Sequence, residues 1–332
     1  MIQEAFLVIL IKAVVVVFIV VTTFAYLMLL ERKLMGRMQL RYGPNRTGPF
    51  GLLQPAADLV KMLLKEDFTP AGANKVLFQL APVMAVFAAV GSLSVIPFGD
   101  SVTLWGHHVN LYGTDLNVGL LLVFALSGIG FYGLILGGYA SGNKYALLGA
   151  ARSAAQLVSY EVAMGLSVVG VLMLAQSLSL VDIVHAQADT VWYILLQPVG
   201  FILFMLAGLA ETNRPPFDLP EAEGELVAGY HTEYGGTKFA GFAMAEYLNM
   251  IVVTSIAATL FLGGFSGPWL PGPIWLAIKV FILIVGLIWI RATMPRLRYD
   301  RLMKFGWKIL LPLATLNLLI TALVVGLGFP NK

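Results

Sequence analysis

Six carboxylates crowd into one 28-residue segment, ETNRPPFDLPEAEGELVAGYHTEYGGTK (211–238): Glu211, Asp218, Glu221, Glu223, Glu225 and Glu233. Only Arg214 and Lys238 offset them. Carboxylates this close repel one another, so some are expected to have raised pKa values and to hold or pass protons near neutral pH. Pro215, Pro216 and Pro220 forbid a continuous helix and impose an extended path. A short helix is allowed from Glu221 onward and would put Glu221 and Glu225 on one face. Arg214 is the expected counter-charge within the segment. The plainer alternative is a solvated loop, or a docking surface for a basic partner.

Two further acids, Glu161 in SYEVAMGL and Glu246 in MAEYLN, interrupt apolar stretches, as do Lys12 and Lys279. A charge at membrane depth is costly and marks an ion pathway by default. Both glutamates are therefore read as relay groups, whereas Lys12 is read as snorkelling outward.

The elements that must position these groups are transmembrane helices. The chain has 332 residues, 59% hydrophobic and 12% charged, too little charge for the surface of a soluble domain of this size. Eight apolar runs approach the length of about 20 residues needed to cross a bilayer. They cover roughly 5–30, 77–97, 116–137, 154–175, 191–210, 240–263, 272–291 and 307–328, a polytopic all-α membrane fold in a single domain (1–332). The first run is too long, and lacks the basic leader, for a cleaved signal.

Charge fixes the expected orientation. Eighteen of the 21 lysines and arginines fall in the first, third, fifth and seventh connections, and none in the second, fourth or sixth. By the positive-inside rule the odd connections face the cytoplasm and both termini lie opposite. The basic surplus is thus topological and calls for no nucleic acid. The even connections read as short passive turns, with a small hairpin at 100–115. With no cysteine, the chain carries no thiolate-ligated cluster or disulfide. None of its four histidines lies in an apolar run, so no redox centre, metal or cofactor is expected on this chain.

The first connection opens with Glu31, Arg32 and Lys33 at headgroup level and passes through turns at Tyr42–Asn45 and Thr47–Pro49. Residues 51–66 then become periodic, with Gln54, Asp58, Lys61 and Lys65 on one stripe and Pro55 in the first turn. They predict an amphipathic helix lying along the interface. It serves either as a surface anchor or as cover for an opening between lipid and protein. In the second case Asp58 faces that opening, with Arg41 close by. The third span holds no acid, so a proton path must pass it by water or by hydroxyls such as Ser127 and Tyr132.

ERKLMGRMQLRYGPNRTGPFGLLQPAADLVKMLLKED and AETNRPPFDLPEAEGELVAGYHTEYGG resemble the two signature regions of a family of NADH–quinone oxidoreductase (respiratory complex I) membrane subunits, the H-type or heel subunits of the membrane arm. ASGNKYALLGAARSAAQLVSYE (140–161), MAEY (244–247) and WIRATMPRLRYDRL (289–302) resemble the same family, and the likeness spans essentially the whole chain. The resemblance implies a non-catalytic component of a proton-translocating enzyme, set in the bacterial cytoplasmic membrane. Its implied partners are hydrophilic quinone-site subunits, small and antiporter-like membrane subunits, quinone and lipid. FMN and iron–sulfur clusters would belong to those partners. It further implies a quinone-tunnel mouth at Arg32, Arg41, Asp58, Phe217, Arg291 and Arg296. Proton coupling would run through Glu161, Glu211, Glu221, Glu223, Glu225 and Glu246, with Arg214, Asp218 and Lys279.

Two other readings stay open. A homologous core component of a membrane-bound hydrogenase or ferredoxin-linked complex would co-purify with a nickel–iron protein. A stand-alone transporter using Glu161 and Lys279 would move ions when reconstituted alone.

Overall fold

The computed structural model describes residues 6–104, 107–113, 115–220 and 223–328, with side chains omitted at 6–13, 101–109 and 223–224. Glu221, and the side chains of Lys12 and Glu223, lie outside the described residues.

Among the described residues, seven helical segments are long and apolar enough to cross a membrane. They are α1 (Phe6–Met38), α3 (Lys75–Val95), α4 (Gly119–Ala140), α5 (Lys144–Ala175), α10 (Gly236–Phe261), α11 (Gly272–Thr293), and α12 (Tyr299–Phe305) running on through a π-turn into α13 (Leu311–Gly326). The remaining apolar run, expected at 191–210, is broken. A short α7 (Tyr193–Leu196) precedes α8 (Pro198–Glu211), and Gln197 between them leaves helical geometry at φ −130°. Pro198 disfavours the helical conformation of its predecessor. The freed Gln197 side chain donates to Thr321 and accepts from Asn317 at 2.9 Å, tying the break to α13.

Between the spans lie α2 (Gln54–Leu64), α6 (Leu180–Asp189) and α9 (Glu223–Leu226). Strands β1 (Ser101–Leu104) and β2 (His107–Asn110) pair antiparallel, Ser101 opposite Asn110, as the hairpin pattern predicts. The fourth connection is not a passive turn. It folds as α6, capped by Ser179, with Leu180, Val181, Ile183, Val184 and Gln187 buried. Gln187 satisfies itself on Thr259 O, Tyr193 N and Gly263 N, which a bare turn could not do.

The core is built around α10, which buries an unbroken run from Met250 to Phe261. Around it stand α3, α8, α11 and α1. Without a hydrophobic drive between helices in lipid, close packing needs small residues. Gly133 of α4 is one such contact: a Cβ there would come within 2.9 Å of Ala81 O and 3.0 Å of Ala85 N on α3. Gly149 lets α5 meet the acidic segment, since a Cβ would lie 2.8 Å from both Pro220 O and Tyr230 N. The outer faces of α1 and α13 remain apolar and exposed, as lipid-facing surfaces should.

Candidate functional site

Val20, Leu27 and Glu31 follow one another at seven- and four-residue spacing on the buried stripe of α1. Glu31 is therefore turned into the protein and only 1% exposed. It is the residue that sequence reasoning missed, although the helical spacing carried the signal. Arg214 of the acidic segment donates through Nη1 to Glu31 Oε2 at 2.8 Å. Its Nε lies 2.8 Å from Glu246 Oε1 of α10, an ion-pair approach off the line of the N–H bond. Arg291 of α11 binds the other oxygen of Glu31. The Arg214 guanidinium also lies 4.1 Å from the centre of the Tyr247 ring.

Two acids and two arginines thus form a quartet of zero formal charge, in which Glu31 and Arg214 are buried and Glu246 and Arg291 are 24% and 32% exposed. Burial opposes the charge on Arg214, but the carboxylates of Glu246 and Glu31 outweigh it and hold its pKa above the ordinary arginine value. Arg214 is not the internal counter-charge of its own segment. Its partners lie on α1 and α10, because the prolines that follow it carry the chain away while its side chain turns inward.

Arg32, the next residue on α1, faces the other way. Its Nη1 donates to Asp58 Oδ2 of α2 at 2.8 Å. Gln54 donates to the remaining Asp58 oxygen at 2.9 Å and accepts from Thr47. Arg41 is not the neighbour expected for Asp58: the backbone turns at Leu40 (φ 55°), and Arg41 binds Gln39 instead. The predicted helix is present, and none of its residues is buried within this chain.

Glu211 ends α8 and Glu161 lies midway along α5; both line one small cavity with Ser127, Leu157 and Asn249. Its volume of about 30 Å³ gives room for roughly two water molecules. Ser127 of α4 donates to Glu211 Oε1, while the enclosed Oε2 makes no direct bond. Of the two hydroxyls the third span offered, Ser127 is the one that meets an acid. Tyr132, the other, points outward and is 59% exposed.

The remaining predicted residues scatter. Glu225 is exposed and salt-bridged to Arg152 of α5 at 2.6 Å. The Arg152 hydrogen bond holds its carboxyl below the usual value, so Glu225 is not one of the raised acids. The long α5 projects a cation to meet it. Glu233 accepts from Asn143 at 2.7 Å. Phe217 is 3% exposed and packed between Tyr160 and Phe305, a core side chain of the folded segment. Asp218 is half-buried beside it, and Arg296 is exposed. Lys279 lies far from the quartet: 12 residues before Arg291 on α11 correspond to about 18 Å of helix. Its ammonium donates to Gly264 O and Ser266 O at 2.8 and 2.7 Å, with the Trp192 ring at 4.7 Å. No cluster of three or more potential metal ligands occurs among the described residues.

Fold and site together define a polytopic membrane protein with a buried charge network on its basic side. The sequence model of the family described as NADH dehydrogenase matches residues 11–322, and the chain belongs to that family. It is 54% identical over 314 residues to a Geobacter metallireducens protein named as an H-type subunit of NADH-quinone oxidoreductase, covering 95% of each chain. A Geobacter sulfurreducens protein named as an H-type subunit of the same enzyme is 56% identical with the same coverage. The H-type subunit of Thermomicrobium roseum is 55% identical over 309 residues, with 90% of this chain and 91% of that one covered.

Proposed function

We propose that this chain is the membrane component of a proton-translocating NADH–quinone oxidoreductase that admits quinone at its α1–α2 face and passes the electrostatic result to buried carboxylates. The similarity to relatives named for that enzyme supports the assignment. The carrying observation is the division of labour between adjacent residues of α1. Arg32 holds the interfacial helix through Asp58, and Glu31 holds the acidic segment through Arg214. A long-tailed quinone needs an apolar route from the bilayer and a few donors at its inner end. In this reading α2 covers that route, with Arg32, Asp58 and Arg291 along it.

Quinone reduction by an iron–sulfur cluster in a hydrophilic partner creates negative charge and a demand for protons. The quartet senses that charge, because a new negative charge nearby disfavours the ionised form of its carboxylates. The Glu211–Ser127–Glu161 cavity then carries protons between α8, α4 and α5 towards antiporter-like partners. FMN and the clusters reside in partner subunits, and the odd connections face the cytoplasm. The deciding experiment compares Glu211→Gln with wild type in the assembled enzyme, following NADH:quinone turnover and proton uptake together. Loss of pumping with the chain still incorporated supports the relay; wild-type pumping stoichiometry refutes it.

A further inference from the structure

We propose that Lys238 is a positioning residue that sets the pivot of α2 from the first turn of α10. This rests on the reading that quinone enters beneath α2. Lys238 Nζ lies 3.0 Å from Asp67 Oδ1 and donates to Thr69 Oγ1 at 3.2 Å. It also stands 5.1 Å from the centre of the Phe78 ring, and its side chain is 11% exposed. Phe78 is fully buried and stacks on Tyr234 at 4.0 Å, so the ammonium is anchored to a rigid aromatic block. A Cβ at Gly236 (φ 54°) would stand 3.4–3.8 Å from the carbonyls of Lys65, Glu66 and Met62, so the start of α10 lies beside the end of α2.

The rest of α2 is loosely held. Leu59, Val60, Leu63 and Leu64 are all more than half exposed, and the helix buries no residue. It is thus held at two points of opposite character, Asp58 within the helix and Asp67 just past its C-terminal end. The Arg32–Asp58 pair, with side chains 43% and 26% exposed, is open to water and to a passing ligand. The Lys238–Asp67 contact is the sheltered one on its cationic side. A helix hung this way turns about residues 65–69 when the exposed pair yields. Lys238 begins the helix that carries Glu246, so the same rigid body bears the pivot and one corner of the quartet. Lys238 and Asp67 therefore govern how readily quinone passes, without touching it.

The test uses the assembled enzyme in its membrane. Lys238→Met is expected to raise KM for a short-tailed quinone about three- to fivefold, the size of one partly exposed ion pair, with kcat within twofold. It should also raise deuterium uptake across residues 54–69 but not across 75–95. Lys238→Arg restores both readouts. Asp67→Asn, altering the half-exposed partner, gives the same result should Lys238→Met fail to incorporate. Unchanged KM and unchanged exchange in Asp67→Asn overturn the proposal. Asp58→Asn separates the two ideas: if it alone shifts KM, quinone entry beneath α2 stands and the pivot falls. If neither variant shifts KM, both fall.

Discussion

The Ser127 hydroxyl donates to the Glu211 carboxylate across the interface of α4 and α8, beside a cavity that also reaches Glu161. The span that contributes no acid thus contributes a hydroxyl to the cavity shared by the two glutamates.

Ser127→Ala should lower coupled turnover while leaving incorporation intact. A hydrogen bond to a charged group contributes about 1.5–3 kcal/mol, so a loss of roughly tenfold or more is expected if the bond acts in the rate-limiting proton step. NADH:quinone turnover and proton uptake in membrane vesicles would measure it. Turnover and stoichiometry equal to wild type would remove Ser127 from the path.

Arg214→Met strips the quartet of its central cation and leaves Arg291 alone to offset Glu31 and Glu246. Breaking a buried ion pair from one side costs about 3–5 kcal/mol, so the protein should largely disappear from membranes. Arg214→Met combined with Glu246→Gln removes one of the stranded charges and should recover part of that loss. Immunoblots of membrane fractions read both variants, and equal depletion in the two would argue that the charges are not coupled.

Asp58→Asn keeps the Gln54 contact and removes the charge that meets Arg32. A pair this exposed contributes about 1 kcal/mol or less, so the protein should assemble normally. Apparent affinity for quinone analogues should change several-fold, and an unaltered inhibitor profile counts against the entrance role.

How much of this was legible beforehand differs by element. The spans follow from hydropathy, which acts locally and leaves a direct trace. The amphipathic helix was readable from the spacing of Gln54, Asp58, Lys61 and Lys65. The partners of Arg214 were not, because they lie 183 and 32 residues away and depend on helix packing. Nor was the partner of Glu225, which finds Arg152, 73 residues distant. Pro198 carried a visible warning that the fifth run would break, since it restricts Gln197 directly before it.

Burial lowers the pKa of His231 from 6.5 to about 4. The folded protein then holds this ring neutral over a range where the unfolded chain protonates it. Its stabilising effect is fully present above pH 6.5 and is lost as pH falls through the folded value near 4. The loss is at most about 3 kcal/mol. Thermal midpoints of the purified protein should fall over that window, and His231→Phe should flatten the dependence. A parallel slope in the variant would assign the effect elsewhere.

Lys279 closes the far end of the molecule with a contact that needs no carboxylate: two carbonyls and an indole face. Such a clasp is indifferent to changes of charge some 18 Å away at Arg291, the distance set by 12 residues of α11. Through Lys279 the end of α11 remote from Arg291 is tied to the turn at Gly264 that follows α10, so these two helices share one fastening that no titrating acid can loosen.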